Sequence, residues 1–155
     1  MLESMWRVMQ ELHFEYTEQF FTALLPMMIT VILHGQGMRA AGRCFKRFGP
    51  HPRRNPHEGP HVILLVAIVA IMLLTHFIEV FAWAVFYYAA NMLPEFRTSM
   101  YFSINAYTTL GASNITLPGH WKGLDGFEAI TAMLMFGWST AVLAAVVQRA
   151  HSIDD

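Results

Sequence analysis

An all-α membrane protein, with three spanning helices and one re-entrant loop per chain, is what this sequence predicts, and three observations predict it. Hydrophobic residues make up 55% of the 155 residues and charged residues only 14%, well below the roughly 25% of an average soluble domain. The apolar residues gather in three runs, residues 20–38, 62–91 and 126–147, which together hold nearly half the chain. Between the second and third runs lies a helix-patterned segment too short to cross a bilayer, followed by a stretch containing Thr and Gly. Disorder is excluded, because it needs low hydrophobicity and high net charge. The net charge of −1 sets up no field for a phosphate backbone, so nucleic acid is not an expected partner. A single cysteine, Cys44, makes no intrachain disulfide and is too few for a zinc-knuckle framework.

Residues 1–38 are expected to form one N-terminal unit. Leu2, Met5, Trp6, Met9, Leu12, Tyr16 and Phe20 recur at helical spacing, the pattern of an amphipathic helix leading into the first span. Glu3, Glu11, Glu15 and Glu18 against a single Arg7 do not fit the basic start of a secretory signal. The run 20–38 is marginal against the roughly 20 residues that a span needs, and Pro26, His34, Gly35 and Gly37 weaken it; it reads as a span, with an interfacial or re-entrant segment as the alternative. Residues 39–60 follow as a basic linker. Pro50, Pro52, Pro56, Gly59 and Pro60 make it bent and non-helical. Six of the ten basic residues (Arg39, Arg43, Lys46, Arg47, Arg53 and Arg54) sit there. Short loops rich in Lys and Arg stay on the cytoplasmic side. The N-terminus and segment 92–125 are then outside, the tail 150–155 inside, and the expected location is the cell membrane, a prokaryotic inner membrane.

The region 61–149 carries the function. Its first span, 62–91, closes at Leu93-Pro94-Glu95, a sequence that also opens a helix, with Pro near the start and an acidic residue in the first turn. Residues 96–108 read as a short helix that runs directly into Thr108-Thr109-Leu110-Gly111-Ala112-Ser113-Asn114. A short helix and an irregular stretch between two spans have the layout of a pore loop. Non-helical backbone at membrane depth is tolerated only when buried or lining water. Carbonyls arranged in a ring then replace the hydration shell of an ion. One loop supplies one side of such a ring, so four copies of the chain around a central axis are expected.

These residues resemble the pore domain of the tetrameric potassium-channel superfamily: outer helix, pore helix, filter, inner helix. Tyr101 and Phe102 are similar to the paired aromatics of a pore helix, and Thr108 to Gly111 to a threonine-threonine-valine-glycine filter. Gly137 matches the family's hinge glycine in position. The resemblance implies passive conduction of K⁺ or Na⁺ through residues 108–114, with Tyr101, Phe102 and Asn105 supporting the filter. It implies no chemical step, no catalytic residue, no cofactor and no metal beyond the permeant cations. The departures are specific. Ala112 stands where the family has the tyrosine that braces the filter, and Ser113 where it has a second glycine. Asn105 and Asn114 stand where it often has a carboxylate pair. All four loosen the outer half of the filter, so weak potassium-over-sodium discrimination is expected.

Three further features have roles to weigh. Gly137, Ala141 and Ala145 make a small-residue face, suited to close helix packing as well as to pore lining. Asp125 and Glu128 match a capping box at the start of the inner helix, with cation attraction at the mouth as a second role. Glu79 lies about 26 Å along its helix from Val62 at roughly 1.5 Å per residue, near the outer leaflet, with His76 one turn earlier on the same face. The expected arrangement is a mutual polar pair. With His34 the two offer a competing function, a haem or metal site of a membrane redox protein, although His34 is expected at the cytoplasmic end of its own span. His51, His57 and His61 are irregularly spaced and a weak metal signal. A non-conducting accessory subunit is the third reading.

Overall fold

In a computed structural model, residues 2–49, 61–111 and 114–151 are described. They form four α-helices, α1 (Leu2–Phe48), α2 (His61–Ala89), α3 (Phe96–Tyr107) and α4 (Leu124–His151), with a 3₁₀ turn at Gly119–Trp121 and no strand among the described residues. Three stretches are long and apolar enough to cross a membrane: Tyr16–Phe48, Val62–Ala89 and Leu124–Arg149. The 12 residues of α3 reach only about 18 Å at 1.5 Å per residue. The protein is an all-α membrane protein.

Helix α1 extends past its expected end. The N-terminal segment and the first span are one uninterrupted helix of 47 residues. It also runs through residues 39–48, the first part of the linker expected to be non-helical. The physical reason lies in the order of residues. The linker's prolines come only after Gly49, with Gly42 the one weak helix former of the linker before it, and Lys46 and Arg47 in the last turn face the negative end of the helix dipole. The remainder of the linker, residues 50–60, lies outside the described residues. Pro26 does not break α1. Proline removes one helical donor, and Thr30 Oγ1 donates to the Pro26 carbonyl at 2.9 Å.

The chain divides into two compact units, Met1–Thr30 with Val80–Ala132, and Val31–Glu79 with Met133–Asp155. In the first, Ala23, Trp83, Tyr87, Phe102, Leu117 and Leu124 belong to one buried cluster. In the second, Met38, Ala41, Leu64, Ile68, Met72 and Val146 form another. Gly37 brings α1 and α2 together there, because a Cβ at that position would overlap the Thr75 side chain. Around these cores large apolar side chains remain exposed, among them Trp6, Phe21, Ile63, Leu74, Phe77 and Leu134. A water-soluble monomer rarely shows so much apolar surface, whereas a helix in lipid normally does.

Candidate functional site

Two helix ends set up the loop, and they close in the same way. Helix α2 stops at Asn91, in the left-handed region at φ 54, with Asn91 N–H donating to Tyr88 O and Met92 N–H to Tyr87 O, both at 3.0 Å. This is a Schellman closure. Asn tolerates the conformation, and both Met92 and Tyr87 join the buried cluster. Glu95, extended at φ −132, then caps α3 without a side-chain hydrogen bond. At the other end of α3, Thr109 N–H donates to Ala106 O and Leu110 N–H to Asn105 O, again at 3.0 Å. Here the left-handed position falls on Thr109, at φ 56. A β-branched residue there is strained, by about 1–2 kcal/mol. Gly111 follows at φ 62, which glycine adopts without strain.

Residues 108–110 are therefore a helix-closing turn, because their amides satisfy the last carbonyls of α3. Thr108, Thr109, Leu110, Gly111 and Asn114 are all exposed. Ala112 and Ser113 lie outside the described residues. Of the expected supports, Phe102 is buried and meets the Tyr87 ring edge-on, with centroids 5.1 Å apart. Asn105 is also buried, and its Nδ2 donates to Tyr101 O of its own helix at 2.7 Å. Tyr101 is exposed.

The strongest polar contact behind the loop was not foreseen. Glu128 is completely buried. Its Oε2 accepts from Tyr87 Oη at 2.8 Å, and its Oε1 accepts from Ser103 Oγ. That Ser103 hydroxyl also lies 3.0 Å from the Val80 carbonyl. One carboxylate thus ties α2, α3 and α4 together. The expected capping box is corrected accordingly. Helix α4 begins at Leu124, so Asp125 already sits in its first turn, where its Oδ1 accepts from Gly126 N–H at 3.0 Å. Glu128 points into the core instead. Further along, Gly137, Ala141 and Ala145 are exposed, and α4 passes through Gly137 as a continuous helix.

The second polar cluster lies in the other unit. His34 Nδ1 is 2.9 Å from Glu79 Oε1, and His76 Nδ1 is 3.4 Å from Glu79 Oε2. The His76–Glu79 pair is therefore present, but the expectation that His34 lies at a different depth is overturned. The continuous helix explains the shift: within the apolar stretch Tyr16–Phe48, His34 is near the middle and not at an end. The two imidazole rings pack directly on each other, centroids 5.3 Å apart. A haem ligated from both sides has to lie between its histidines, so the geometry does not fit that alternative.

A family model described as an ion channel matches residues 62–149. The chain belongs to the ion channel family. The matched region covers α2, the loop segment and most of α4, and corresponds to the two-span, potassium-channel-like pore domain. No curated protein matches the chain, and no solved structure does. An ion channel family is not a family of enzymes.

Two residues of this channel were named from the sequence but given the wrong place. Glu128 shares a helical stripe with Leu124, Thr131, Met135 and Ser139, all buried, so its direction was readable from the 3.6-residue period. His34 gave no such signal, because its partner Glu79 is distant in sequence and only the packing of α1 on α2 joins them.

Proposed function

We propose that the channel conducts monovalent cations through a pore built by four copies of the chain, with weak preference for potassium over sodium. The observation that carries this reading is the exposed Thr108–Gly111 turn at the end of a helix too short to span, between two helices that are long enough. In the assembled pore Thr109, Leu110 and Gly111 offer oxygen ligands to dehydrated ions. The C-terminal, negative end of the α3 dipole favours cations there. The strain held at Thr109 lowers the cost of opening the turn into an extended filter. Gly137, Ala141 and Ala145 let the inner helices of four copies approach closely. No cofactor takes part; the permeant ions are cargo.

Ser113 and Ala112 carry the selectivity. A residue other than glycine resists the positive φ that turns successive carbonyls to the axis, at about 1–2 kcal/mol per subunit. Alanine leaves the filter without a side-chain brace. The test is the reversal potential of the purified protein in planar bilayers under bi-ionic potassium and sodium. Weak discrimination is expected, and Ala112→Tyr with Ser113→Gly together should raise it more than either alone. Strong potassium selectivity of the unmodified channel would overturn the selectivity reading, and absence of any cation flux would overturn conduction itself.

A further inference from the structure

Two imidazoles and a carboxylate converge in the second unit, and the pore reading uses none of them. Ligand atoms of His34, His76 and Glu79 all lie within 4.8 Å of one another. His34 and Glu79 are completely buried, and the His76 side chain is 15% exposed. Both Nδ1 atoms face the carboxylate, at 2.9 Å and 3.4 Å. Both Nε2 atoms face Ser139 Oγ, which is 3.1 Å from that of His76 and 3.4 Å from that of His34. The same hydroxyl donates toward Met38 Sδ at 3.9 Å.

Each neutral imidazole has one N–H and one lone pair, and the tautomer decides which nitrogen carries the proton. In the tautomer with N–H on Nε2, toward the Ser139 oxygen, both Nδ1 lone pairs turn to the Glu79 carboxylate, and a cation held there is met by all three side chains.

We propose that His34, His76 and Glu79 bind a divalent transition metal, zinc foremost. Two His nitrogens and one carboxylate oxygen, with a fourth position open, are a regular zinc donor set. Sodium, potassium, magnesium and calcium prefer all-oxygen surroundings, so this site is distinct from the permeant ions. Ligand atoms on a tetrahedral zinc with bonds of about 2.0–2.1 Å sit roughly 3.4 Å apart. His76 Nδ1 is already at that distance from Oε2, and His34 Nδ1 is within a few tenths of an ångström of it from Oε1, so a small turn of the carboxylate presents one oxygen to both rings. The exposed edge of His76 admits the metal and a water as fourth ligand. Ser139 is the positioning residue, accepting from both Nε2 atoms in the tautomer that turns Nδ1 to the metal. Bound metal would clamp α1 to α2, whatever the pore conducts.

The experiment uses the full-length chain in detergent with His51, His57 and His61 all changed to alanine, so that loop imidazoles do not compete. After chelator treatment it is titrated with zinc by calorimetry and with cobalt(II) by visible absorption. One zinc per chain, the intense bands of tetrahedral cobalt and a zinc-dependent rise in melting temperature are expected. Glu79→Gln and His76→Ala should each abolish the cobalt bands, and Ser139→Ala should weaken zinc binding about 10–100-fold while keeping them. A melt in chelator establishes that each variant is folded; should one fail to fold, the cobalt spectrum of the parent decides alone. Sub-stoichiometric zinc, bands that survive Glu79→Gln, or octahedral-type weak bands would overturn the site. A melting temperature that follows pH and ignores zinc would also overturn it, assigning the cluster to protons.

Discussion

Glu128 shows what a single side chain decides in this channel. A buried carboxylate is costly unless its lone pairs are satisfied, and here Tyr87 and Ser103 satisfy them from two different helices. Removing the acceptor strands the Tyr87 hydroxyl, while Ser103 keeps the Val80 carbonyl. Glu128→Ala should therefore lower stability by about 1–3 kcal/mol, the usual cost of one buried polar group left without its partner. Glu128→Gln keeps an oxygen and should cost less. Thermal melts in detergent check the order, and a Tyr87→Phe/Ser103→Ala double-mutant cycle should show coupling through the shared carboxylate. Additive single effects would mean that Glu128 does not join the two. At Thr109 the side chain works the other way, since it occupies a backbone conformation that Asn91 accepts with little strain.

At the scale of elements, helix packing rests on small residues where two backbones approach. Gly37 is the clearest case. Any Cβ there meets Thr75 Oγ1, Cγ2 and Cβ at once, while Thr75 is held in place by its own bond to Ile71 O at 2.8 Å. Gly37→Ala should destabilise the channel by about 1–3 kcal/mol, the usual range for overpacking. Thr75→Ala should rescue part of the loss and Thr75→Gly more of it, because the threonine Cβ itself is among the clashing atoms. Equal melting temperatures for Gly37→Ala and the parent would contradict this close approach. Gly137 has open space around its Cβ position, so alanine there should leave the single chain's stability nearly unchanged.

At the scale of the whole molecule, the proposed pore takes four copies of the chain. Native mass spectrometry in detergent should give about four times the 17.7 kDa subunit; a dimer or monomer as the sole species would count against the proposed pore. Orientation is checked at the single cysteine, Cys44, which is partly buried near the basic end of α1. An impermeant thiol reagent outside cells should leave Cys44 unlabelled and label it after permeabilisation. Labelling of intact cells would reverse the orientation expected from the basic residues.

Composition and periodicity alone settled the membrane class, the three spans, the short α3 and the position of the loop, because each depends on residues near one another in the chain. The end of α1 was also readable, at Gly49, once the prolines after it were separated from the helix-forming residues before. The tertiary structure decided the rest. It turned Glu128 from a cap into a tie between three helices, since burial overrode the local capping pattern. It joined His34 to Glu79, which no local pattern relates. It closed residues 108–110 into a turn because the final carbonyls of α3 take the nearest amide donors. A sequence displays the period and length of each helix, but the pairing of buried polar groups depends on which faces meet, and only packing determines that.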